Sequence, residues 1–354
     1  MSFNAVVKRD STAGGLELGE YDLPSELGPR EVLVEVAAAG ICGTDLTIFN
    51  WPPWLSDRMG SRLPVVIGHE FSGHVRKVGS QVADLELGQL VAVESHSCCG
   101  QCRTCLIGRG NVCEQLEYVG LDINGGFAEY VVLPAQVIKP VPNEIGPDSA
   151  ALLEPFGLAV RSVLADGGVK GKSVLVTGLG PLGLMTCAAA NACGAEHVIG
   201  IESAEYRLEL ARNYLGNRAS VVVLATEDAQ DGRRVRELAG PGGVDVWLDY
   251  SGAESALELG VRALAVGGEA RLVGAPQGPV RLDLSTALLK EINFRLFHGR
   301  DLDSSWPAAI SLLAEKRVDL APLITHRVPL RDYSRAFDLL RNRQACKVLI
   351  DVKS

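Results

Sequence analysis

Four cysteines, Cys99, Cys102, Cys105 and Cys113, stand in the spacing C-x2-C-x2-C-x7-C. Four thiolates this close in sequence can surround one tetrahedral Zn²⁺. An all-sulfur shell leaves no position for a substrate, so such a metal is structural. Left as free thiols they would be an oxidation liability. Cys98 is the adjacent spare and reads as a bystander. A second set is dispersed: Cys42 in Gly40-Ile-Cys-Gly-Thr-Asp45, His69 and Glu70 in Gly68-His-Glu-Phe-Ser-Gly73, and Glu154 in Leu152-Leu-Glu-Pro-Phe-Gly157. Singly, such residues are more often core or structural. Together, one thiolate, one imidazole and one or two carboxylates make a ligand set for a Zn²⁺ with one exchangeable position, the arrangement of a catalytic metal. Spacing alone leaves open whether the chain brings them together.

The third signal is Val174-Leu-Val-Thr-Gly-Leu-Gly-Pro-Leu-Gly183, continued to Val198-Ile-Gly-Ile-Glu202. An apolar β-branched run, a turn with glycines at 178, 180 and 183, a helical segment and a second apolar run ending on an acid describe a βαβ unit for a dinucleotide. Gly178 permits the tight turn, Gly180 the approach of backbone to the pyrophosphate, and Gly183 the close packing of helix on strand. Glu202 stands where a carboxylate accepts from the ribose hydroxyls and repels a 2′-phosphate, which favours NAD over NADP. Arg207 either reaches the adenosine end of the cofactor or is solvated on the next helix.

The elements that must position these residues fall into two kinds. Residues 1–155 read as a mostly-β domain, with runs at 32–37, 65–67, 75–78, 90–93 and 130–133 separated by Gly/Pro/Asp turns. Connections at 40–64 and 95–120 are too long for ordinary turns and carry function or a metal staple. The structural zinc lobe is about 95–115. From 156 to 295 strands and helices alternate, as in a doubly wound parallel sheet, an α/β fold with strand ends of small residues such as Val273-Gly274-Ala275 facing a cofactor. Residues 296–354, with helices at 304–317 and 331–342 and a strand at 346–352, are expected to pack back on the first domain. Cys187, Cys193 and Cys346 read as core.

At 354 residues, 47% hydrophobic and 22% charged, the chain suits two soluble domains. Its net charge of −9 and lack of Lys/Arg clusters argue against nucleic acid or an anionic membrane. Neither a secretory signal nor an apolar run of membrane-spanning length is seen. Nine cysteines, an odd number with four in metal-like spacing, fit the reducing cytoplasm.

In these motifs, together with Gly125-Gly-Phe-Ala-Glu-Tyr130, the chain resembles the zinc-containing medium-chain dehydrogenase/reductase family from Val32 to its end. Trp51, Trp54, Glu94-Ser-His96, Gly299-Arg300 with Trp306, and Ile324-Thr-His326 resemble its L-threonine 3-dehydrogenase branch, whose relatives include sorbitol and polyol dehydrogenases. The resemblance implies a GroES-like catalytic domain, a Rossmann cofactor domain, one catalytic and one structural zinc, and NAD-dependent oxidation of a secondary alcohol of a small polar substrate to a ketone. It implies Cys42 and His69 as catalytic-zinc ligands, with Glu70 and Glu154 as oxygen ligands that alternate with water, and Thr44 bonded to the reacting hydroxyl. Leu182, Glu202, Arg207 and Val273 to Ala275 would contact the cofactor, with Phe297 and His298 near the nicotinamide. A homotetramer or homodimer is implied, with no readable interface. The chain departs from the branch at Thr47, where a relay histidine is usual, at Pro52-Pro53, where an acidic pair is usual, and at Leu158, where Asn is common. Thr47 can pass a proton only within a chain of groups. His96 is a candidate substitute relay or substrate-shaping residue, its alternative being a structural neighbour of the zinc lobe. L-Threonine or a close analogue is the first substrate reading; a polyol, cyclitol or sugar is the second, and a non-catalytic binding descendant the third.

Overall fold

The computed structural model describes residues 2–59, 62–216, 218–229, 232–240 and 242–353. By contacts the chain divides into two units, Met1–Pro155 with Asp301–Ala314 and Leu320–Ser354, and Phe156–Arg300 with Glu315–Asp319. The division thus falls at Arg300 rather than 295, and a five-residue piece of the C-terminal segment, Glu315–Asp319, goes with the second unit.

The first unit is built on the long strand Glu31–Gly40, whose valines alternate inward. It pairs antiparallel with Glu70–Val78, Tyr130–Pro134 and Lys347–Asp351, so a strand from the far end of the sequence lies beside the one that ends at the Cys42 motif. The sheet runs Ile138–Pro140, Leu90–Val93, Glu70–Val78, Glu31–Gly40, Lys347–Asp351, Ile324–Pro329. A smaller sheet joins Leu16–Asp22, Ser2–Lys8 and Val65–Val66, and its first two strands were not apparent in the apolar pattern. The core of the unit is aliphatic and aromatic, with Val34, Val36, Ile48, Phe71, Phe127 and Ile350 buried together.

The stretch 40–64 is not simply a loop. It folds into helices Gly43–Asn50 and Pro53–Met59, since Thr44 to Phe49 offer Ile48 to the core and Trp51, at φ 45°, ends the first helix in a left-handed turn. The later helices are Ser305–Ala314 and Tyr333–Arg341, followed by the strand Lys347–Asp351, each shorter than the sequence pattern implied.

The second unit is a parallel sheet in the order Val221–Ala225, His197–Glu202, Ser173–Thr177, Val244–Asp249, Leu264–Leu272, Asn293–Leu296. The order runs out one way from Ser173–Thr177 and then resumes on its other side, which is the two-halved, doubly wound Rossmann arrangement. Its central strands are buried and read as continuous apolar runs because helices lie over them. The last strand, Asn293–Leu296, was not legible as one. Among the described residues, no helix is long and apolar enough to cross a membrane.

Candidate functional site

In the first unit Cys42, His69 and Glu70 offer ligand atoms that all lie within 4.8 Å of one another. Each is delivered by a sheet strand. Glu31–Gly40 runs directly into Cys42, the residue before helix Gly43–Asn50, and Gly40 pairs in register with Glu70. His69 precedes that strand by one residue and follows Gly68. A side chain at 68 would place its Cβ 2.3 Å from the Phe127 ring, and φ there is +91°, so only glycine allows this turn.

The surroundings favour a cation. Asp45, fully buried, accepts the Cys42 backbone N–H through Oδ2 at 2.7 Å, and its Oδ1 lies 3.6 Å from His69 Nδ1. That separation is too long for a hydrogen bond, and both atoms lack one. With Nδ1 turned to a carboxylate, Nε2 is the nitrogen left for a metal, the usual carboxylate–histidine–metal relationship. Burial works against a charged His69, but Asp45 and then Cys42 overcome it and hold its pKa well above the ordinary value. Opposite them, Glu70 pairs with Lys347 Nζ, which also donates to Ile41 O at 3.2 Å. Burial depresses the Lys347 ammonium, while Glu70, Cys42 and Glu154 outweigh it and raise its pKa. Thiol, imidazole and carboxylate around a site that stabilises positive charge fit Zn²⁺.

Glu154 is buried in the first turn of helix Leu153–Leu164 but falls outside the cluster of three. Thr44 is exposed, with its Oγ1 3.8 Å from Cys42 Sγ. Thr47 donates its hydroxyl to Gly43 O at 3.2 Å, one helical turn back. His96 is buried; its Nδ1 lies 2.9 Å from Glu94 Oε1, its ring packs edge-on against Tyr118 at 4.9 Å, and Trp306 Nε1 donates to Glu94 Oε2 at 2.7 Å.

Cys99, Cys102, Cys105 and Cys113 likewise converge within 4.8 Å. Cys102 Sγ is 3.5 Å from Cys105 Sγ and 3.7 Å from Cys113 Sγ. Tetrahedral Zn–S bonds of about 2.3 Å place sulfurs about 3.8 Å apart, so the cage is already near the size zinc needs. Backbone N–H groups of Cys99 and Gln115 point at Cys113 Sγ, each at 3.3 Å. The Thr104 hydroxyl, with backbone N–H donors, pulls Cys102 down to about 5, whereas burial pushes Cys105 and Cys113 up. Cys98 is not part of the cage.

In the second unit the three glycines have distinct surroundings. Gly178 has φ +87°, and a Cβ there would meet Ser251 N at 2.9 Å. A Cβ on Gly183 would lie 2.0 Å from Gly178 O, so helix Pro181–Ala192 can approach the strand only with glycine at 183. Beside Gly180 there is nothing within 4 Å, which leaves the helix N-terminus open to an anion. Leu182 lies in the first turn of that helix, partly buried. Glu202, buried at the end of its strand, accepts from the N–H groups of Leu179, Ser203 and Ala204 at 2.9 to 3.0 Å and lies 3.7 Å from Arg207 Nη1. It therefore also braces the glycine turn. Val273 and Gly274 both donate to Asp249 O at 2.9 Å, and Ala275 follows them. Phe297 is buried and His298 exposed beyond the last strand.

Sequence reading missed Asp45, Lys347 and Asp249. Asp249 receives Thr177 Oγ1 at 2.7 Å, Ser251 Oγ at 2.6 Å and Gly252 N at 2.9 Å, tying together the strand ends on which the cofactor would rest. Its position at the end of an apolar run was the available signal.

An alcohol dehydrogenase GroES-like domain model matches residues 28–143 and a zinc-binding dehydrogenase model residues 181–315. The chain belongs to the zinc-binding medium-chain alcohol dehydrogenases, oxidoreductases acting on CH–OH groups with zinc and a nicotinamide dinucleotide. Its full-length relatives include L-threonine 3-dehydrogenases of Bacillus velezensis, 37% identical over 98% of both chains, and Pyrococcus abyssi, 40% identical over 98% of both. Similar solved structures include an Escherichia coli CFT073 alcohol dehydrogenase complexed with NADH, 26% identical with a TM-score of 0.87 over 99% of both chains. Galactitol-1-phosphate dehydrogenase of Escherichia coli, 28% identical, has a TM-score of 0.86 over 98% of this chain and 99% of that one.

Proposed function

We propose that the chain oxidises the secondary alcohol of L-threonine or a close analogue to the ketone, with NAD as hydride acceptor. The single observation that carries the site assignment is the gathering of Cys42, His69 and Glu70 beside Asp45 and Lys347. Bound zinc would supply Lewis-acid polarisation of the substrate oxygen, and NAD the acceptor for the hydride. Cys42 and His69 would hold the metal, with Glu70 and Glu154 as oxygen ligands that would alternate with water. Thr44, exposed beside Cys42, accepts a hydrogen bond from the substrate hydroxyl and takes its proton onward. Glu202 binds the adenosine ribose, Gly178, Gly180, Leu182 and Gly183 face the pyrophosphate, Arg207 the adenosine end, Val273 to Ala275 with Phe297 and His298 the nicotinamide. Cys99, Cys102, Cys105 and Cys113 hold the structural zinc.

Pro52-Pro53 favours a second reading. Without carboxylates there, nothing at these positions pairs with an ammonium, and a polyol, cyclitol or sugar fits as well. His96, braced by Glu94, shapes the substrate or relays its proton in place of Thr47, whose hydroxyl is donated to Gly43. We also propose a cytoplasmic homotetramer or homodimer. Nine cysteines, an odd number with four in metal-like spacing, suit a reducing compartment. The edge strand Asn293–Leu296, with Leu288, Leu289 and Leu296 each more than three-quarters exposed, is a surface that a second copy would cover.

The test is NADH formation by zinc-loaded protein with L-threonine against a panel of polyols, cyclitols and sugars, repeated with NADP. Selective threonine turnover supports the first reading. Turnover of a polyol or sugar without threonine replaces it with the second.

A further inference from the structure

The two strands that complete the second half of the parallel sheet, Leu264–Leu272 and Asn293–Leu296, end in Val273 to Ala275 and Phe297 to Gly299. In a doubly wound sheet that half takes the nicotinamide mononucleotide at its strand C-termini. Phe297 N–H still donates to Leu272 O at 2.8 Å; beyond it the sheet stops. Both of the next two carbonyls are held by one side chain, Arg161, whose Nη1 donates to His298 O at 2.9 Å and Gly299 O at 2.7 Å. Its guanidinium also sits 5.3 Å from the Phe297 ring centroid, and Arg295, fixed by Asp166 at 2.6 Å, sits 5.1 Å from the same ring.

We propose that Arg161 is the positioning residue of the nicotinamide end, holding Phe297 to Gly299 in the shape that receives the nicotinamide. The proposal rests on the dinucleotide reading above.

The anchor is rigid. Ser162, next to Arg161, bonds Tyr250 OH at 2.6 Å, and the fully buried Arg271 donates to Ser162 O at 2.8 Å and Val163 O at 3.1 Å. The helix Leu153–Leu164 is therefore pinned to the sheet where Arg161 leaves it. A planar guanidinium can bridge two carbonyls and lie over an aromatic face at once, whereas an ammonium offers one compact charge. Gly299, at φ +61°, turns the chain so that both carbonyls meet one nitrogen. A segment outside the sheet and without these bonds would pay its own ordering entropy when the nicotinamide binds.

The test compares NADH with ADP-ribose, which lacks the nicotinamide, by calorimetric binding to the full-length protein. In Arg161→Met the stem and its packing remain and the donors are lost. NADH should bind roughly tenfold more weakly, the effect of about one charge-assisted hydrogen bond. ADP-ribose should bind unchanged, which also certifies the fold, and Arg161→Lys should fall between. Unchanged NADH affinity, or equal weakening of both ligands, overturns the proposal. If the unsubstituted chain binds neither ligand, the dinucleotide reading fails first and takes this one with it.

Discussion

Asp45→Asn is the sharpest probe of the metal assignment. The carboxylate is fully buried and divides its oxygens, Oδ2 to the Cys42 N–H at 2.7 Å and Oδ1 toward His69 Nδ1 at 3.6 Å. The amide is almost isosteric but offers one acceptor and one donor group. If its oxygen stays on Cys42, its NH₂ faces Nδ1 and favours the imidazole tautomer with the proton on Nε2, the atom that must ligate. If it flips, Cys42 N–H loses its acceptor. Either way the site is worse for a metal, through a carboxylate lost beside Nδ1 or an acceptor lost at the Cys42 N–H, and the expected cost is the roughly 10–100-fold loss of metal affinity typical when a ligand's outer partner is removed. Competition with a chromogenic chelator reads this directly, because the four-cysteine zinc serves as an internal reference. One zinc should be released at roughly 10–100-fold lower chelator concentration than in the parent, with the other unmoved. Unchanged affinity of both zincs in a folded Asp45→Asn protein would refute Asp45 as the partner of a ligating His69. A fall in melting temperature without a change in zinc affinity would make Asp45 a helix cap for Cys42 and nothing more.

The other predictions separate fold from site. Gly180→Ala, with open space beside it and φ −66°, should leave the unfolding free energy within about 1 kcal/mol of the parent while weakening NADH binding; unaltered binding would remove Gly180 from the pyrophosphate site. Gly183→Ala, whose Cβ would stand 2.0 Å from Gly178 O, should destabilise the protein by about 1–3 kcal/mol in denaturant titration, cofactor absent. Cys105→Ser should lower zinc content by one ion per chain while metal at the other site persists, and elemental analysis showing two retained ions would contradict the four-sulfur cage. Burial pushes the Tyr250 phenol up to about 12. An unfolded phenol ionises near pH 10, so stability present in full below pH 10 is lost as pH rises toward 12, by at most about 2.7 kcal/mol. Tyr250→Phe should flatten that alkaline limb in denaturant titrations, and an unchanged slope would refute the assignment.

What the sequence made legible was chemistry that restricts residue type. Four thiolates at close spacing suit a closed zinc shell, so Cys99 to Cys113 could be read as a cage before any fold was known, and a pyrophosphate needs close backbone approach, so Gly178 to Gly183 could be read as a turn. The alternating apolar runs likewise implied a β unit and a parallel α/β unit, because each pattern follows from which strand faces are covered. Short elements were lost where propensity is weak. Asn293–Leu296 mixes polar and apolar residues because it is an exposed edge, and Leu16–Asp22 carries mostly outward-facing side chains.

The residues that escaped were those whose meaning lies in a partner far along the chain. Lys347 follows Glu70 by 277 positions, and no local pattern distinguishes it from a solvated lysine. Its burial is set by register: Leu349 pairs with Gly40, Gly40 pairs with Glu70, and the ammonium is thereby placed against the carboxylate and the Ile41 carbonyl. A buried lysine is costly unless paired, and a buried glutamate equally so, so each justifies the other only once the sheet has formed. Under the proposed metal assignment, the pairing gives Glu70 two partners, the lysine and the zinc. A carboxylate shared in this way can leave one without becoming an unpaired buried charge, which is the condition an exchangeable oxygen ligand must satisfy.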